Sequence, residues 1–369
     1  MNVLHVFKGY RPHLEGGVIE VIRQLGQATI AEGCRSRVLV GGPRREMRFD
    51  GGLEVQFEPI WPSFAGVGVS RGMLKAFARH AADADVVHYH APWPTGDFMH
   101  LMLASKRPSI VTYHSDLVSR NPLVIPCNAL HRRFLRSVDC IVATSPVYVQ
   151  TSPILAPLAE RVEVIPLGID RRDYPAADSA QVQKIRDQMG GAFALFIGVL
   201  RSYKGIDVLL EALQQTQVPC VIAGDGPLRS LVASRVGEAG LRNVIWSGAV
   251  SAQEKSNLLA ACSVLVLPSN KRSEAFGIVL LEAAMHGRAL ITCEIGTATS
   301  WVNQHGETGL VTPSSDPQAL GRALRHIVGS PAEAARMGTA AASRFESHFT
   351  LNRMVRAYMD HYRRLVAMR

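Results

Sequence analysis

The sequence has none of the features of an exported or membrane-spanning protein. No apolar run approaches the roughly 18 residues that a transmembrane helix needs, and residues 1–8 show no signal peptide. The six cysteines are scattered, without a C-x-x-C pair or any other spacing typical of zinc sites or disulfide frameworks. We therefore expect a cytoplasmic protein in a reducing compartment, at most peripheral to the inner face of a membrane.

Acidic residues are the minority among the charged ones. Lys and Arg number 40 against 31 Asp and Glu, which gives a formal net charge of +9 at pH 7. Such an excess favours anionic partners, but it is spread along the chain, so we expect no nucleic-acid partner. Two basic stretches, 71–79 and 131–136, also carry apolar residues, which fits either an anionic membrane surface or ordinary solvated helix faces.

The order of short apolar stretches predicts the fold class. They alternate with amphipathic helical stretches in two successive sets, which is typical of α/β domains with parallel, doubly wound sheets. We predict two Rossmann-like domains, at 1–170 and 171–345, and a final helix within 346–369 that packs on one of them. Ligands of such sheets bind at the carboxyl ends of the strands.

Two glycine-containing turns follow predicted strands. Gly16 and Gly17 open a helix, where free amides suit an anion or a sugar edge, although a plain tight turn would look the same. In the second turn, at 198–205, Arg201 and Lys204 lie three residues apart at the mouth of a strand. Two cations there suit a departing diphosphate, and the alternative is a pair of solvated charges.

The most informative stretch is 273–287. Glu274 lies in the loop after a predicted strand, Gly277 opens a helix, and Glu282 follows about one turn later. Two carboxylates placed in this way can bind sugar and ribose hydroxyls while the helix amides face the ligand. The alternative is a solvated helix face.

The stretches 198–205 and 274–282, with the turn Gly224-Asp225-Gly226-Pro227, resemble the retaining GT-B glycosyltransferases of family 4 along essentially the whole chain. Residues 293–303 are similar to bacterial mannosyl- and rhamnosyltransferases of surface polysaccharide synthesis. Thr299-Ser300 departs from the Pro-Glu pair that many members carry. The resemblance implies that the two Rossmann-like domains face each other across a cleft and that the C-terminal helix packs back on the N-terminal domain.

The resemblance also implies roles for single residues. On the donor side, Gly16 and Gly17 would line the sugar, and Arg201 and Lys204 would hold the diphosphate. Glu274 would bind the transferred sugar and Glu282 the ribose. The remaining donor contacts would be Val250 at the base and, at the start of the helix, Phe276, Gly277 and Ile278. His114, at the end of a predicted strand, matches the active-site histidine, and a packed strand-end histidine is the alternative. The catalytic residues would be His114, Arg201, Lys204 and Glu274.

The implied activity is transfer of mannose or rhamnose from a GDP-sugar to a lipid-linked or polysaccharide acceptor. No strong carboxylate nucleophile stands out, and the family is thought to let the acceptor attack on the face that the diphosphate leaves. We expect no metal and no cofactor besides the nucleotide-sugar. Three alternatives stay open: a UDP-sugar donor, a non-catalytic binding module, and a phosphorylase or epimerase.

Three other sequence patterns are weaker evidence for a function. Asp83-Ala84-Asp85 is a literal D-x-D, but it precedes a strand and so lies at the amino end of the sheet. His88 and His90 share a strand face at a spacing that metals use, but no third ligand is evident in the sequence, which favours a structural or substrate-contact role. No G-x-G-x-x-G follows the first strand, which argues against a dehydrogenase.

Overall fold

The computed structural model describes residues 1–60, 68–103, 107–116, 124–237 and 241–368. The chain forms two compact units. The first consists of Met1–Leu167 with Leu351–Arg369, and the second is Gly168–Thr350. The sequence placed the corresponding boundaries at 170 and 345.

An eight-stranded sheet forms the centre of the first unit. Its strands are β1 Asn2–Phe7, β2 Arg35–Gly42, β3 Glu46–Asp50, β4 Leu53–Pro59, β5 Val86–Ala91, β6 Ser109–Tyr113, β7 Cys140–Ala143 and β8 Val162–Val164. The strand order is β3-β4-β2-β1-β5-β6-β7-β8, and every pair is parallel except β3 with β4. All six residues of β5 are buried, as expected of a strand covered on both faces.

Helices cover this sheet. They are α1 Gly17–Ala31, α2 Arg71–Asp83, α3 Pro94–Leu103, α4 Val124–Ser137 and α5 Pro146–Thr151, together with the last helix of the chain, α14 Leu351–Ala367. A 3-10 helix spans Ala156–Arg161. Ser70 caps α2 by accepting a hydrogen bond from the Met73 amide, which fixes where that helix begins.

The terminal helix α14 packs on α1 and β5, as predicted for the C-terminal helix. Its buried residues recur at helical spacing: Leu351, Met354, Val355, Tyr358, Met359 and Tyr362. It lies within 346–369, and the residues up to His348 belong to the preceding helix. The first unit is therefore built from both ends of the chain.

The second unit has a six-stranded parallel sheet of order β11-β10-β9-β12-β13-β14. Its strands are β9 Ala194–Ile197, β10 Cys220–Ala223, β11 Val244–Gly248, β12 Val264–Leu267, β13 Ala289–Glu294 and β14 Gly309–Pro313. Its helices are α6 Ser179–Met189, α7 Ile206–Thr216, α8 Arg229–Gly237, α9 Ala252–Ala261, α10 Ile278–Met285, α11 Thr299–Val302, α12 Pro317–Val328 and α13 Pro331–His348. Short 3-10 helices span Arg171–Asp173 and Ser202–Lys204.

The strand order of each unit reverses at one point, where ligands of such sheets bind. In the first unit, β1 lies between β2 and β5, and in the second unit β9 lies between β10 and β12. The loops after β9, β10 and β12 therefore share one edge of the second sheet. This topology confirms the predicted fold class of two Rossmann-like units.

Candidate functional site

The loops after β9 and β10 are joined backbone to backbone. The Leu200 amide donates to the Asp225 carbonyl at 3.0 Å, and the Leu200 carbonyl accepts from the Leu228 amide at 3.0 Å. A Cβ on Gly224, whose φ is +142°, would lie 1.9 Å from the Gly198 carbonyl oxygen. Only glycine permits this approach, which holds the loop that carries Arg201 and Lys204 in place.

Lys204 and Glu274 form a buried ion pair at this edge. Lys204 lies on the 3-10 helix and is 9% exposed, Glu274 is 8% exposed, and the Lys204 ammonium contacts Oε2 of the carboxylate. The Ser269 hydroxyl donates to the same Oε2 at 3.1 Å. Within the described chain Oε1 has no partner, so a ligand hydroxyl can bind there.

Glu282 on α10 is held in the same way. Its Oε1 accepts from the Lys255 ammonium at 2.7 Å and from the Tyr174 hydroxyl at 3.1 Å. The Lys255 ammonium also lies 5.1 Å from the centre of the Tyr174 ring. Among residues that the structure describes, Oε2 of Glu282 has no partner. Each carboxylate thus has one oxygen fixed by a lysine and a hydroxyl, and the other available.

Arg201 differs from both lysines. Its side chain is exposed, and it makes no ion pair with the described part of the chain. Arg201 lines a cavity of about 500 Å³ whose other lining residues are Ser202, Tyr203, Pro227, Leu228 and Ser273. That volume lies in the range of small-molecule sites, and the guanidinium is free to bind an anion.

The start of α10 lies in the same stretch. Gly277 caps the helix with φ of +79°, and Ile278 is the first helical residue, so their amides are not used within the helix. The Phe276 side chain is buried and meets the Phe349 ring edge-on at 6.3 Å, so Phe276 offers a ligand its backbone and not its ring. Val250, between β11 and α9, is half-buried.

Neither Lys255, Tyr174 nor Ser269 was among the residues that the sequence predicts for the site. One signal could have found Lys255: Ser251 and Glu254 form a capping box that starts α9 beside Val250, and Lys255 follows at once. Tyr174 lies in a stretch that composition alone marks as an exposed linker, and no local pattern reveals its contact.

The first unit carries the remaining predicted residues. Gly16 is the N-cap of α1 and Gly17 is its first residue, and no side chain in the described part of the chain caps the helix. His114 directly follows β6 and is buried. Burial lowers the pKa of His114 to about 3, so the imidazole is neutral.

His114 ends a series of hydrogen-bonded imidazoles that the sequence does not reveal. His90 Nδ1 lies 3.0 Å from His114 Nε2, and His90 Nε2 lies 3.1 Å from His5 Nδ1. His88 stacks on His90 with ring centres 4.3 Å apart. The pKa of His90 lies well below its ordinary value, because of burial first and the neighbouring imidazoles second.

The sequence shows no third ligand near His88 and His90, but pairing of β1 with β5 sets His5 opposite His88. Nitrogens of His5, His88 and His90 all lie within 4.8 Å of one another. Both nitrogens of His90 already bond to imidazoles, however, and both of His88 bond to hydroxyls, of Tyr362 at 2.6 Å and Thr112 at 2.7 Å. In the structure these imidazoles therefore take part in a hydrogen-bonded stack.

The D-x-D stretch is structural. Asp85 accepts from the Asn2 amide at 2.7 Å, and Asp83 pairs with Arg37 at 2.5 Å. Both residues precede β5, at the amino end of the sheet, as the sequence predicts. The two carboxylates are thereby engaged away from the edge where ligands bind.

Two family models together match most of the chain. Residues 15–173 match the family model "Glycosyltransferase Family 4", and residues 178–344 match "Glycosyl transferases group 1". The chain is 42% identical to D-rhamnosyltransferase WbpZ of Pseudomonas aeruginosa over 95% of this chain and 92% of that protein. It is 38% identical to O-antigen chain mannosyltransferase C of Escherichia coli over 99% of both.

Solved structures share the fold. Sucrose-phosphate synthase from Thermosynechococcus elongatus aligns with a TM-score of 0.82 at 20% identity, covering 100% of both chains. Anabaena HepE in complex with UDP-glucose aligns with a TM-score of 0.77 at 18% identity, covering 98% of this chain and 99% of that one. These likenesses confirm the predicted GT-B fold class.

Proposed function

Because the chain belongs to the glycosyltransferase family that these two models describe, we propose that it transfers mannose or rhamnose from a GDP-sugar, with retention of configuration, in the synthesis of a bacterial surface polysaccharide. The names of the two relatives support the choice of sugar and pathway. The acceptor is a lipid-linked or polysaccharide glycan.

One observation carries the proposal: two buried carboxylates, Glu274 and Glu282, each keep one oxygen available, and both follow strands of the same sheet as the exposed Arg201 does. The available oxygen of Glu274 would accept hydroxyls of the transferred sugar, and that of Glu282 hydroxyls of the ribose. The amides of Gly277 and Ile278 would face the donor, Val250 would lie at the base, and Gly16 and Gly17 would line the sugar.

In the reaction, the bond between the anomeric carbon and the diphosphate oxygen breaks, and the acceptor hydroxyl oxygen bonds to the same face of that carbon. The acceptor proton passes to the departing phosphate. Arg201 and Lys204 stabilise the negative charge that develops there, and they supply charge where another enzyme would use a metal. We propose that transfer requires neither a metal nor a further cofactor.

The acceptor side includes a membrane contact in this proposal. Arg132, Arg133 and Arg136 on α4 are exposed, and so are Met102 and Leu103 at the end of α3, which packs on α4. Basic and apolar side chains together suit an anionic bilayer surface. Of the helices in the described residues, none combines the length and apolarity needed to cross a bilayer. Flotation with anionic but not with neutral vesicles, lost in R132E/R133E, would support the contact.

Nucleotide binding tests the proposal. Melting temperature is measured with GDP, UDP, ADP, NAD or no ligand, since a ligand at about 100 times its Kd stabilises by roughly 2.7 kcal/mol. A rise with GDP alone supports a GDP-sugar donor, a rise with UDP alone replaces it with a UDP-sugar, and no rise favours a binding module without catalysis. Product analysis with and without a glycan acceptor, in the presence of a chelator, then separates transfer from phosphorylase or epimerase chemistry.

A further inference from the structure

Three imidazoles are linked in series across the first sheet. The line begins at His5 on β1, passes through His90 on β5 and ends at His114 after β6. Burial lowers the pKa of His5 to about 3, and His90 and His114 are neutral for the same reason. A neutral imidazole carries one N–H, so every N–H in the series must point in the same direction.

His5 lies at the buried end of the series. Its Nε2 is buried and has no partner among the described residues. If the protons pointed from His114 toward His5, this atom would be an unpaired buried N–H group. If they pointed the other way, it would be an unpaired buried acceptor. The proposed reaction passes the acceptor proton to the departing phosphate and needs no base at His114, which favours the direction from His5 Nδ1 to His90 Nε2, and from His90 Nδ1 to His114 Nε2.

The neighbours hold this geometry without joining the series. His88 stacks on His90, and its two nitrogens are engaged by Tyr362 and Thr112. The Tyr358 hydroxyl in turn lies 2.7 Å from the Thr112 hydroxyl. The ring of His90 is therefore held by stacking on one side and by hydrogen bonds at both nitrogens.

We infer that His5 and His90 are positioning residues, which hold His114 in the tautomer protonated at Nδ1 so that it presents an N–H donor to an oxygen of the bound sugar. This inference rests on the proposed function and adds to it a contact between His114 and the bound sugar. It specifies the role of His114, because an imidazole with Nε2 occupied by His90 and Nδ1 protonated is a donor and not a general base. That role agrees with transfer of the acceptor proton to the departing phosphate.

The tautomer is measured directly. Long-range ¹H–¹⁵N spectra of the ¹⁵N-labelled full chain distinguish protonated from unprotonated ring nitrogens, and H114Q identifies the His114 signals by their loss. We expect Nδ1 of His114 to be protonated and Nε2 to be unprotonated in the unmodified chain. The opposite assignment would overturn the inference without any variant having to fold.

Variants at His5 test the origin of the tautomer. H5L removes the first donor, and we expect a mixed His114 tautomer and a kcat lowered by up to about tenfold, as for loss of one hydrogen bond. H5N, whose Nδ2 can replace the histidine Nδ1 as donor, should restore the single His114 tautomer and the normal kcat. The Kd for GDP should not change in either variant.

H100L provides the matched control. His100 is also buried in the first unit and contacts one hydroxyl, of Tyr89 at 3.1 Å, but it lies outside the series. The H100L variant should have the same His114 tautomer as the unmodified chain. An unchanged tautomer in H5L would overturn the inference. If the tautomer is as inferred but H114A transfers sugar at the normal rate, the series sets the tautomer but His114 does not act as a donor to the sugar.

Discussion

The ammonium of Lys255 lies 2.7 Å from Oε1 of Glu282, the same oxygen that accepts from the Tyr174 hydroxyl. The second oxygen of the carboxylate is left to a ligand. Because the two donors fix the rotation of the carboxylate, the available oxygen has a defined direction before any nucleotide binds. Orientation in advance lowers the cost of ordering on binding.

Replacement of Lys255 should affect ribose recognition selectively. We expect K255M to weaken GDP binding by about 10- to 100-fold, the range for a hydrogen bond to a charged group, and to leave binding of 2′,3′-dideoxy-GDP unchanged. Isothermal titration of both nucleotides measures the difference. K184M, at an exposed lysine of α6, is the control and should bind both normally. Equal losses for the two nucleotides would show that Lys255 acts elsewhere.

Loss of Lys204 should lower turnover, and it also leaves the buried Glu274 carboxylate without its cation. K204M removes a charge beside the departing diphosphate and releases Oε2 of Glu274, and we expect kcat to fall by about 10²- to 10³-fold. Because the residues are in contact, K204M/E274Q should lose less than the product of the two single losses. R336M, which breaks an exposed ion pair with Glu333, should retain the normal rate. Fully multiplicative losses would contradict a shared role.

Two glycines with the same backbone conformation should respond differently to alanine. Gly190 has φ of +70° with nothing within 4 Å of a Cβ, whereas Gly205 has φ of +68° and its Cβ would lie 2.1 Å from the Pro268 carbonyl oxygen. G190A should cost only the strain of the left-handed conformation, about 1 kcal/mol. G205A should cost clearly more in urea unfolding and should weaken GDP binding, because Lys204 precedes it. Similar losses of unfolding free energy in the two variants would show that the loop at Gly205 moves to accommodate a Cβ.

The first unit should be sensitive to acid. His5 and His114 have folded pKa values of about 3, below the ordinary 6.5, so below pH 6.5 the unfolded chain binds protons that the folded chain does not. The stabilisation is complete above pH 6.5 and is lost as the pH falls toward 3, by about 1.4 kcal/mol per pH unit for each histidine.

Hydrogen exchange followed by mass spectrometry locates this effect. Amides of β1, β5 and β6 should lose protection as the pH is lowered through 6 and 5, after correction for the intrinsic exchange rate. H88Q should reduce the pH dependence by about one proton, while H326Q, at an exposed position, should not. Loss of protection confined to the second unit would refute the prediction.

Local patterns were enough to predict most strands and the residues at their ends. Arg201, Lys204, Glu274 and Glu282 follow strands of the second sheet, so sequence position already places them at its ligand-binding edge. Strand β3 was not predicted, because Glu46, Arg48 and Asp50 interrupt the apolar pattern of a strand at the edge of its sheet.

Contacts between distant residues could not be predicted in this way. Tyr174 and Glu282 are 108 positions apart, and their contact depends on packing that no local pattern contains. The series from His5 to His114 depends on the order of three strands, of which the spacing of His88 and His90 predicts only a shared face. For α14 the sequence predicted that one apolar stripe would pack on the protein, formed by Met354, Ala357, Tyr358, Tyr362 and Leu365. In the structure Met359 is buried as well, whereas Ala357 and Leu365 are only half-buried.

The first unit is completed by the last helix of the chain, and this affects how the protein is made. Synthesis on the ribosome runs from the amino end, so the sheet of β1 to β8 emerges long before α14 does. All of 168–350 is translated in between, so the first unit can be completed only after the whole of the second has been synthesised. Until Tyr358 and Tyr362 arrive, Thr112 and His88 lack their hydroxyl partners. The hydrogen bonds around His88 therefore form only after the residues of both sheets have been translated.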